Sequence, residues 1–144
     1  MHLELGLVYA GSSQWAKAEE EFRAQGKLQP GNAEAAYRLG TALLQQGKAK
    51  EARAELERAN RLLPDMPETL YSLGKAAALG ADLPAAEKAW AKLLSIEKAG
   101  SLAAQTHFAL AGLYRKQGKT AEAERETQEF QKLNSATPPE SVQK

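Results

Sequence analysis

The chain of 144 residues has no cysteine, only two histidines and only two aspartates. Without cysteine there are neither disulfides nor thiolate chemistry. A zinc site needs three or four convergent ligands, and a nucleophilic serine needs a neighbouring base. His2 and His107 are far apart in sequence, and His107 falls where a packing role in a helix is the simpler interpretation. These shortages predict that the protein is not an enzyme and binds no metal or cofactor.

Neither sign of charge is in excess, and long apolar runs are missing too. The chain has 19 Lys and Arg and 18 Asp and Glu, for a net charge of +1. No overall electrostatic field would attract a polyanion, so we expect no nucleic-acid partner. No apolar run approaches the roughly 20 residues that cross a bilayer, which predicts no membrane insertion. The start, MHLELGLVYAGS, has no basic stretch before its apolar part. We expect a soluble protein, cytoplasmic, or periplasmic if the natural protein has an upstream signal.

A 34-residue repeat runs through the sequence. A Leu-Gly pair recurs at 5–6, 39–40 and 73–74, and each pair is followed thirteen residues after its leucine by an alanine, at 18, 52 and 86. A large apolar residue comes four positions later, as Phe22, Leu56 and Trp90. A fourth copy starts at Leu110 with Ala111 in place of glycine, 37 residues after the third. The array therefore continues past residue 96 with three extra residues inserted.

Each repeat is predicted to form two helices, because apolar residues recur at spacings of three and four on both sides of a short polar turn. Gly47 and Gly118 suit helix C-termini, and Gly40 is expected to let a hairpin's two helices approach closely at Ala52. The candidate N-caps are Asn32, Asp65, Asp82, Ser101 and Thr120. The fold class is therefore all-α.

This pattern resembles the tetratricopeptide repeat family over residues 1–134. The resemblance implies an α-solenoid of antiparallel helix hairpins wound into a right-handed superhelix. The units it implies are 1–32 with a truncated first helix, 33–66, 67–103 with a three-residue insertion near 96–102, 104–134, and a disordered tail at 135–144. At the insertion, either the third unit's second helix extends to about Lys98 or the next helix starts early at Ser101. Hairpin stacking is expected to be least regular there.

The resemblance also implies a function: the first helices of the units line a concave groove that binds a peptide or protein segment. Aromatic residues recur there, and basic residues beside them could bind carboxylates. The groove residues predicted to bind a partner are Tyr37, Arg38, Thr41, Tyr71, Ser72, Lys75, Phe108 and Arg115. The residue pattern with which some co-chaperones grip a C-terminal carboxylate is missing in both possible registers.

Two alternatives remain open. Leu3, Leu5, Leu7, Val8 and Tyr9 cover more than one face of the first helix, so one apolar face would be exposed. This favours either a homo-oligomer or scaffold assembled through the N-terminal repeat, or a fragment of a longer array. RNA binding by helical repeats is the less favoured alternative, since the charge is balanced.

Overall fold

The computed structural model describes residues 1–136. These residues form eight helices in four hairpins, with no strand among them, which confirms the all-α prediction. The first helices of the hairpins are α1 (His2–Gly11), α3 (Ala33–Gln45), α5 (Pro67–Leu79) and α7 (Ser101–Lys116). The second helices are α2 (Trp15–Leu28), α4 (Ala49–Leu62), α6 (Leu83–Ile96) and α8 (Thr120–Ala136).

The repeated glycine and the repeated large residue face each other inside each hairpin. A Cβ added to Gly40 would lie 2.6 Å from Leu56 Cγ, so only glycine fits there without movement. Gly74 has the same relation to Trp90, whose indole N–H donates to the Tyr71 carbonyl at 3.1 Å. The close approach predicted at Gly40 is therefore confirmed.

One turn geometry joins the two helices of all four hairpins. Gly47 and Gly118 have φ of +78° and +74°, and Ser13 and Ala81 take the same left-handed conformation at the equivalent positions, with φ of 61° and 67°. In the second turn the Lys48 amide donates to the Leu43 carbonyl at 3.0 Å. The turn thus persists even where the sequence offers no glycine.

Two of the five expected N-caps have that role. Asn32 and Asp82 side chains accept from the amides of Ala35 and Ala85. The expectation was wrong at the other three positions. Met66, not Asp65, directly precedes α5. Ser101 and Thr120 are not caps but the first residues of α7 and α8.

Successive hairpins stack side by side, each second helix packing on the first helix of the next hairpin, and α5 also contacts both α3 and α7. The buried core divides into two clusters. One is centred on Phe22, Leu43 and Leu56, the other on Trp90 and Leu110. This is the solenoid expected, in which the first helices share one wall.

The inserted residues lengthen α7, which has 16 residues where α3 and α5 have 13. Helix α6 ends at Ile96 and α7 begins at Ser101, the second of the two expected outcomes and three residues before the predicted unit boundary. The α6–α7 contact is the smallest of the three between neighbouring hairpins. Residues 135 and 136 of the predicted tail belong to α8, and residues 137–144 lie outside the described part.

Candidate peptide-binding groove

A recess of about 300 Å³ opens between α3, α5 and the first turns of α7. We call it the groove recess. Five of the eight predicted groove residues line it, namely Tyr37, Thr41, Tyr71, Ser72 and Lys75. The other lining residues are Leu44, Gln45, Glu68, Leu102 and Gln105. The family-derived positions on α3 and α5 therefore converge on one surface.

The two tyrosines occupy equivalent positions on neighbouring first helices. Both are half-buried, and burial raises the pKa of the Tyr71 phenol. The Arg38 guanidinium lies 5.3 Å from the Tyr37 ring centre, and the Lys75 ammonium lies 5.5 Å from that of Tyr71. Within residues 1–136 neither tyrosine hydroxyl makes a hydrogen bond. Each ring thus offers an apolar edge and a free polar tip to a ligand.

Charged groups of opposite sign stand on α5 at the two ends of the recess. Glu68 lies in its first turn and Lys75 lies two turns later, a separation of about 10 Å along the helix. Neither forms an ion pair with any residue of the described part. Ser72 lies between them and is 7% exposed. The recess can therefore meet both a cationic and an anionic group of one bound segment.

The other three predicted groove residues lie outside this recess. Arg38 has its Nε 3.5 Å from a Glu34 carboxylate oxygen and stacks over Tyr37. Arg115 turns toward α8, where it donates to the Thr127 hydroxyl at 2.9 Å. Phe108 is 60% exposed, with its ring 5.2 Å from that of Phe130. The aromatic series thus continues on α7, but separated from the two tyrosines.

Among the five lining residues outside the predicted set, Leu102 is the one that the insertion brings to the recess. It lies in the first turn of α7, which starts at Ser101 because the insertion moves the helix start forward. The three-residue change in repeat spacing was the available signal. Leu102 and Gln105 give the recess a wall from the fourth hairpin.

A second recess of about 630 Å³ lies between α4 and α6 over α5. It is open because Ala85 and Ala89 of α6 stand where α4 has Glu51 and Glu55. Its polar rim is largely self-satisfied. Arg53 bonds Glu57 at 3.1 Å and Asp82 at 2.8 Å. We therefore place the candidate binding site at the groove recess, despite its smaller volume. Within residues 1–136 its Glu68 and Lys75 form no ion pair, and its two tyrosine hydroxyls make no hydrogen bond.

The described residues hold no group of three or more His, Cys, Asp or Glu side chains that could bind a metal. The Nδ1 atom of His107 lies 2.6 Å from a Glu126 carboxylate oxygen, and that of His2 lies 2.7 Å from a Glu21 oxygen. Each pair joins the two helices of one hairpin. None of the helices in residues 1–136 combines the length and apolar character needed to cross a membrane.

Residues 3–67, which contain the first two hairpins, match the sequence model of the tetratricopeptide repeat family. This part of the chain carries tetratricopeptide repeats. The family resemblance inferred from the Leu-Gly and alanine spacing is confirmed, and the third and fourth hairpins repeat the helix arrangement of the first two. No curated protein matches the chain.

Several solved structures titled MamA have the same fold as these repeats. The "Crystal structure of MamA" is 23% identical with a TM-score of 0.86, and the match covers 94% of this chain and 77% of that one. "MamA 41-end from Desulfovibrio magneticus RS-1" is 21% identical with a TM-score of 0.89, covering 96% and 76%. At these identities the likeness concerns the helical solenoid alone.

Proposed function

We propose that this protein is a non-enzymatic protein-interaction module that binds an extended peptide or protein segment in the groove recess. The observation that carries the proposal is the pair of half-buried tyrosines, equivalent in successive repeats, with hydroxyls that have no partner within residues 1–136. Rigid aromatic side chains offer large contact area at low entropic cost, which is why they dominate binding surfaces.

The residues that line the recess indicate which kind of peptide segment would bind there. A segment that fits would place an apolar side chain between the rings of Tyr37 and Tyr71, near Leu44 and Leu102. Its flanking residues would be of opposite charge, since Glu68 and Lys75 are unpaired at the two ends. Backbone carbonyls of the segment could accept from the tyrosine hydroxyls.

The test begins with a random peptide library displayed on phage and selected on the 144-residue chain. The affinity of the selected peptides is then measured by titration calorimetry. Tyr37→Ala and Tyr71→Ala should each weaken binding at least tenfold while circular dichroism shows an intact helical fold. Tyr37→Phe should weaken it less, since only the hydroxyl is removed. Peptides that bind the Tyr37→Ala, Tyr71→Ala double variant with unchanged affinity would contradict the groove assignment.

Phe108→Ala serves as the matched control, because Phe108 is an aromatic residue at the same repeat position but lies outside the recess. Binding that survives this change confines the site to α3, α5 and Leu102. Binding that is lost extends the site along α7. A gel shift with single-stranded RNA that weakens with salt would instead favour RNA binding, which the net charge of +1 disfavours.

A second candidate function is assembly or scaffolding through α1. Val8 is 65% exposed and Leu5 is 39% exposed on one side of this helix, next to Met1 at 91%. An apolar stripe of this kind marks an interaction surface. A further repeat ahead of α1 in a longer protein, or another chain, would cover it.

A further inference from the structure

One position recurs on the second helices of all four hairpins, and in the first three hairpins it forms a hydrogen bond to the next hairpin. We call it the junction position. Its members are Glu19 in α2, Arg53 in α4, Glu87 in α6 and Glu124 in α8, spaced by 34, 34 and 37 residues. Glu19 accepts from Gln46 at 2.9 Å and from Lys48 at 3.2 Å. Arg53 donates to Asp82 at 2.8 Å. The first two junctions between hairpins thus each have a hydrogen bond from this position.

At the last junction the partner is a tyrosine, and a tyrosine also stands at the equivalent position of the first hairpin. The Tyr114 hydroxyl of α7 donates to Glu87 at 2.6 Å, across the boundary between the third and fourth hairpins. Tyr9 of α1 occupies the equivalent position in the first hairpin. Its ring contacts Lys17 at 5.6 Å, as that of Tyr114 contacts Lys119 at 5.8 Å, but its hydroxyl makes no hydrogen bond within residues 1–136.

The remaining junction residue, Glu124, is exposed on α8 and likewise has no hydrogen bond or ion pair in the described part. Tyr9 and Glu124 are therefore equivalent to Tyr114 and Glu87, which form a hydrogen bond with each other. They stand at opposite ends of the array, so one molecule cannot join them across its own stacked hairpins.

The apolar stripe of α1 fits the same arrangement. Met1, Leu5 and Val8 are equivalent to Ala35, Leu39 and Ala42 of α3, which are 1%, 4% and 0% exposed where α3 packs on α2. Leu39 shares a small pocket with Gly26 of α2. The stripe is thus the face with which a first helix stacks on the second helix before it.

The outer side of α8 resembles helices that already carry such a stack. Its exposed Gln128 and Gln131 are polar, and the equivalent residues are Arg23 and Gly26 in α2 and Glu57 and Asn60 in α4. Helices α3 and α5 nevertheless pack on these two. A polar outer side is therefore compatible with stacking.

We propose that α1 of one molecule stacks on α8 of a second copy, continuing the solenoid end to end, with the Tyr9 hydroxyl donating to Glu124 of the other copy. The inference deepens the second candidate function, assembly through α1, on which it rests. Because the contact is head to tail, it does not close and generates chains of increasing length. The contact area of one helix pair is small, so association is weak.

Sedimentation velocity of the 144-residue chain between about 10 µM and 1 mM tests the proposal. The weight-average mass should rise with concentration and pass that of a dimer. Tyr9→Phe should weaken association about tenfold, as expected for a lost bond to a charged acceptor. Glu124→Gln should have a similar effect, and the double variant should cost little more than either change alone. Gln117→Ala and Glu129→Ala, away from both faces, should leave association unchanged.

Engineered cysteines identify the geometry, since the natural chain has none. Leu5 and Gln131 are equivalent to the neighbouring Leu39 and Gly26. A mixture of the Leu5→Cys and Gln131→Cys proteins should therefore form the mixed disulfide under mild oxidation. A Leu5→Cys protein that cross-links to itself and stops at a dimer would overturn end-to-end stacking while leaving assembly through α1 standing. A strict monomer at 1 mM would overturn both, with peptide binding in the groove unaffected.

Discussion

Gly40 shows how a single missing Cβ sets the distance between two helices. A methyl group there would overlap Leu56 near its Cγ, which is not the flexible end of that side chain. Overpacking costs about 1 to 3 kcal/mol, more than the roughly 1 kcal/mol that alanine gains over glycine in a helix. Gly40→Ala should therefore lower the free energy of unfolding, measured by urea denaturation.

Gly112 is the matched control for Gly40. It also lies inside a first helix, α7, but an added Cβ would meet nothing within 4 Å. Gly112→Ala should stabilise the protein by up to about 1 kcal/mol. If both substitutions stabilised the protein alike, close packing would not be the reason for glycine at residue 40.

The Asp82 carboxylate accepts hydrogen bonds from Arg53 and from the Ala85 amide, and its ionised form accepts both best. The Arg53 hydrogen bond, and then that from the Ala85 amide, holds the pKa of this carboxyl below its usual value near 4. A depressed folded-state pKa contributes stability above about pH 4, and this contribution is lost as pH falls through the folded-state value. Asp82→Asn keeps an acceptor for Ala85 but loses the charge. The difference in melting temperature between the natural chain and this variant should be largest near pH 6 and shrink below pH 3; a constant difference would exclude the ionic contribution.

Much at the residue scale could be predicted from the sequence, because glycine and alanine at fixed spacing leave few packing solutions. The position of Arg115 could not, since its direction depends on Thr127, which replaces the large residues found at that position in the other hairpins. Phe108 was similarly underdetermined, because Phe130 stands where smaller residues are typical of the repeat. Tyr37 and Tyr71 were easier to place, since they are 34 residues apart and both precede the insertion.

At the scale of elements, the link between α6 and α7 is the departure from regularity. The missing proline and the 37-residue spacing predicted an irregular junction, but could not decide which helix would take up the insertion. The outcome is that α7 takes up the insertion, with 16 residues where α3 and α5 have 13. It begins without a side-chain cap after an exposed link at residues 97–100, in which Gly100 has φ +99°. Leu102 is brought to the groove recess as a consequence.

This link is predicted to be the preferred site of proteolysis. Lys98 lies in it, exposed, between the two hairpins that contact each other least. Lys48 and Lys119, by contrast, are held in tight hydrogen-bonded turns. Limited trypsin digestion should cut first after Lys98, giving residues 1–98 and 99–144 by mass spectrometry. Lys98→Gln should slow the first cut, and an unchanged rate would place the weakest point elsewhere.

For the whole molecule, stability should be a sum of hairpin and neighbour terms rather than one global quantity, as in other repeat proteins. The core supports this view, because Ala76 of α5 belongs to the first cluster and the adjacent Ala77 to the second. Helix α5 thus lies between the two halves of the core, and a loss of packing in one half should reach the other mainly through it.

Two matched cavity substitutions test this division. Leu56 of the first cluster is 0% exposed and Leu110 of the second is 3% exposed, so replacing either by alanine should cost about 2 to 5 kcal/mol. In hydrogen–deuterium exchange, Leu56→Ala should speed amide exchange in α1 to α4 more than in α7 and α8, and Leu110→Ala should do the reverse. Equal acceleration along the whole chain by both variants would mean that the four hairpins unfold as a single cooperative unit.

The two groove tyrosines lie one on each side of this division, Tyr37 packed on the first cluster and Tyr71 on the second. A segment bound across both rings should therefore slow exchange in both halves together, coupling units that are otherwise only loosely connected.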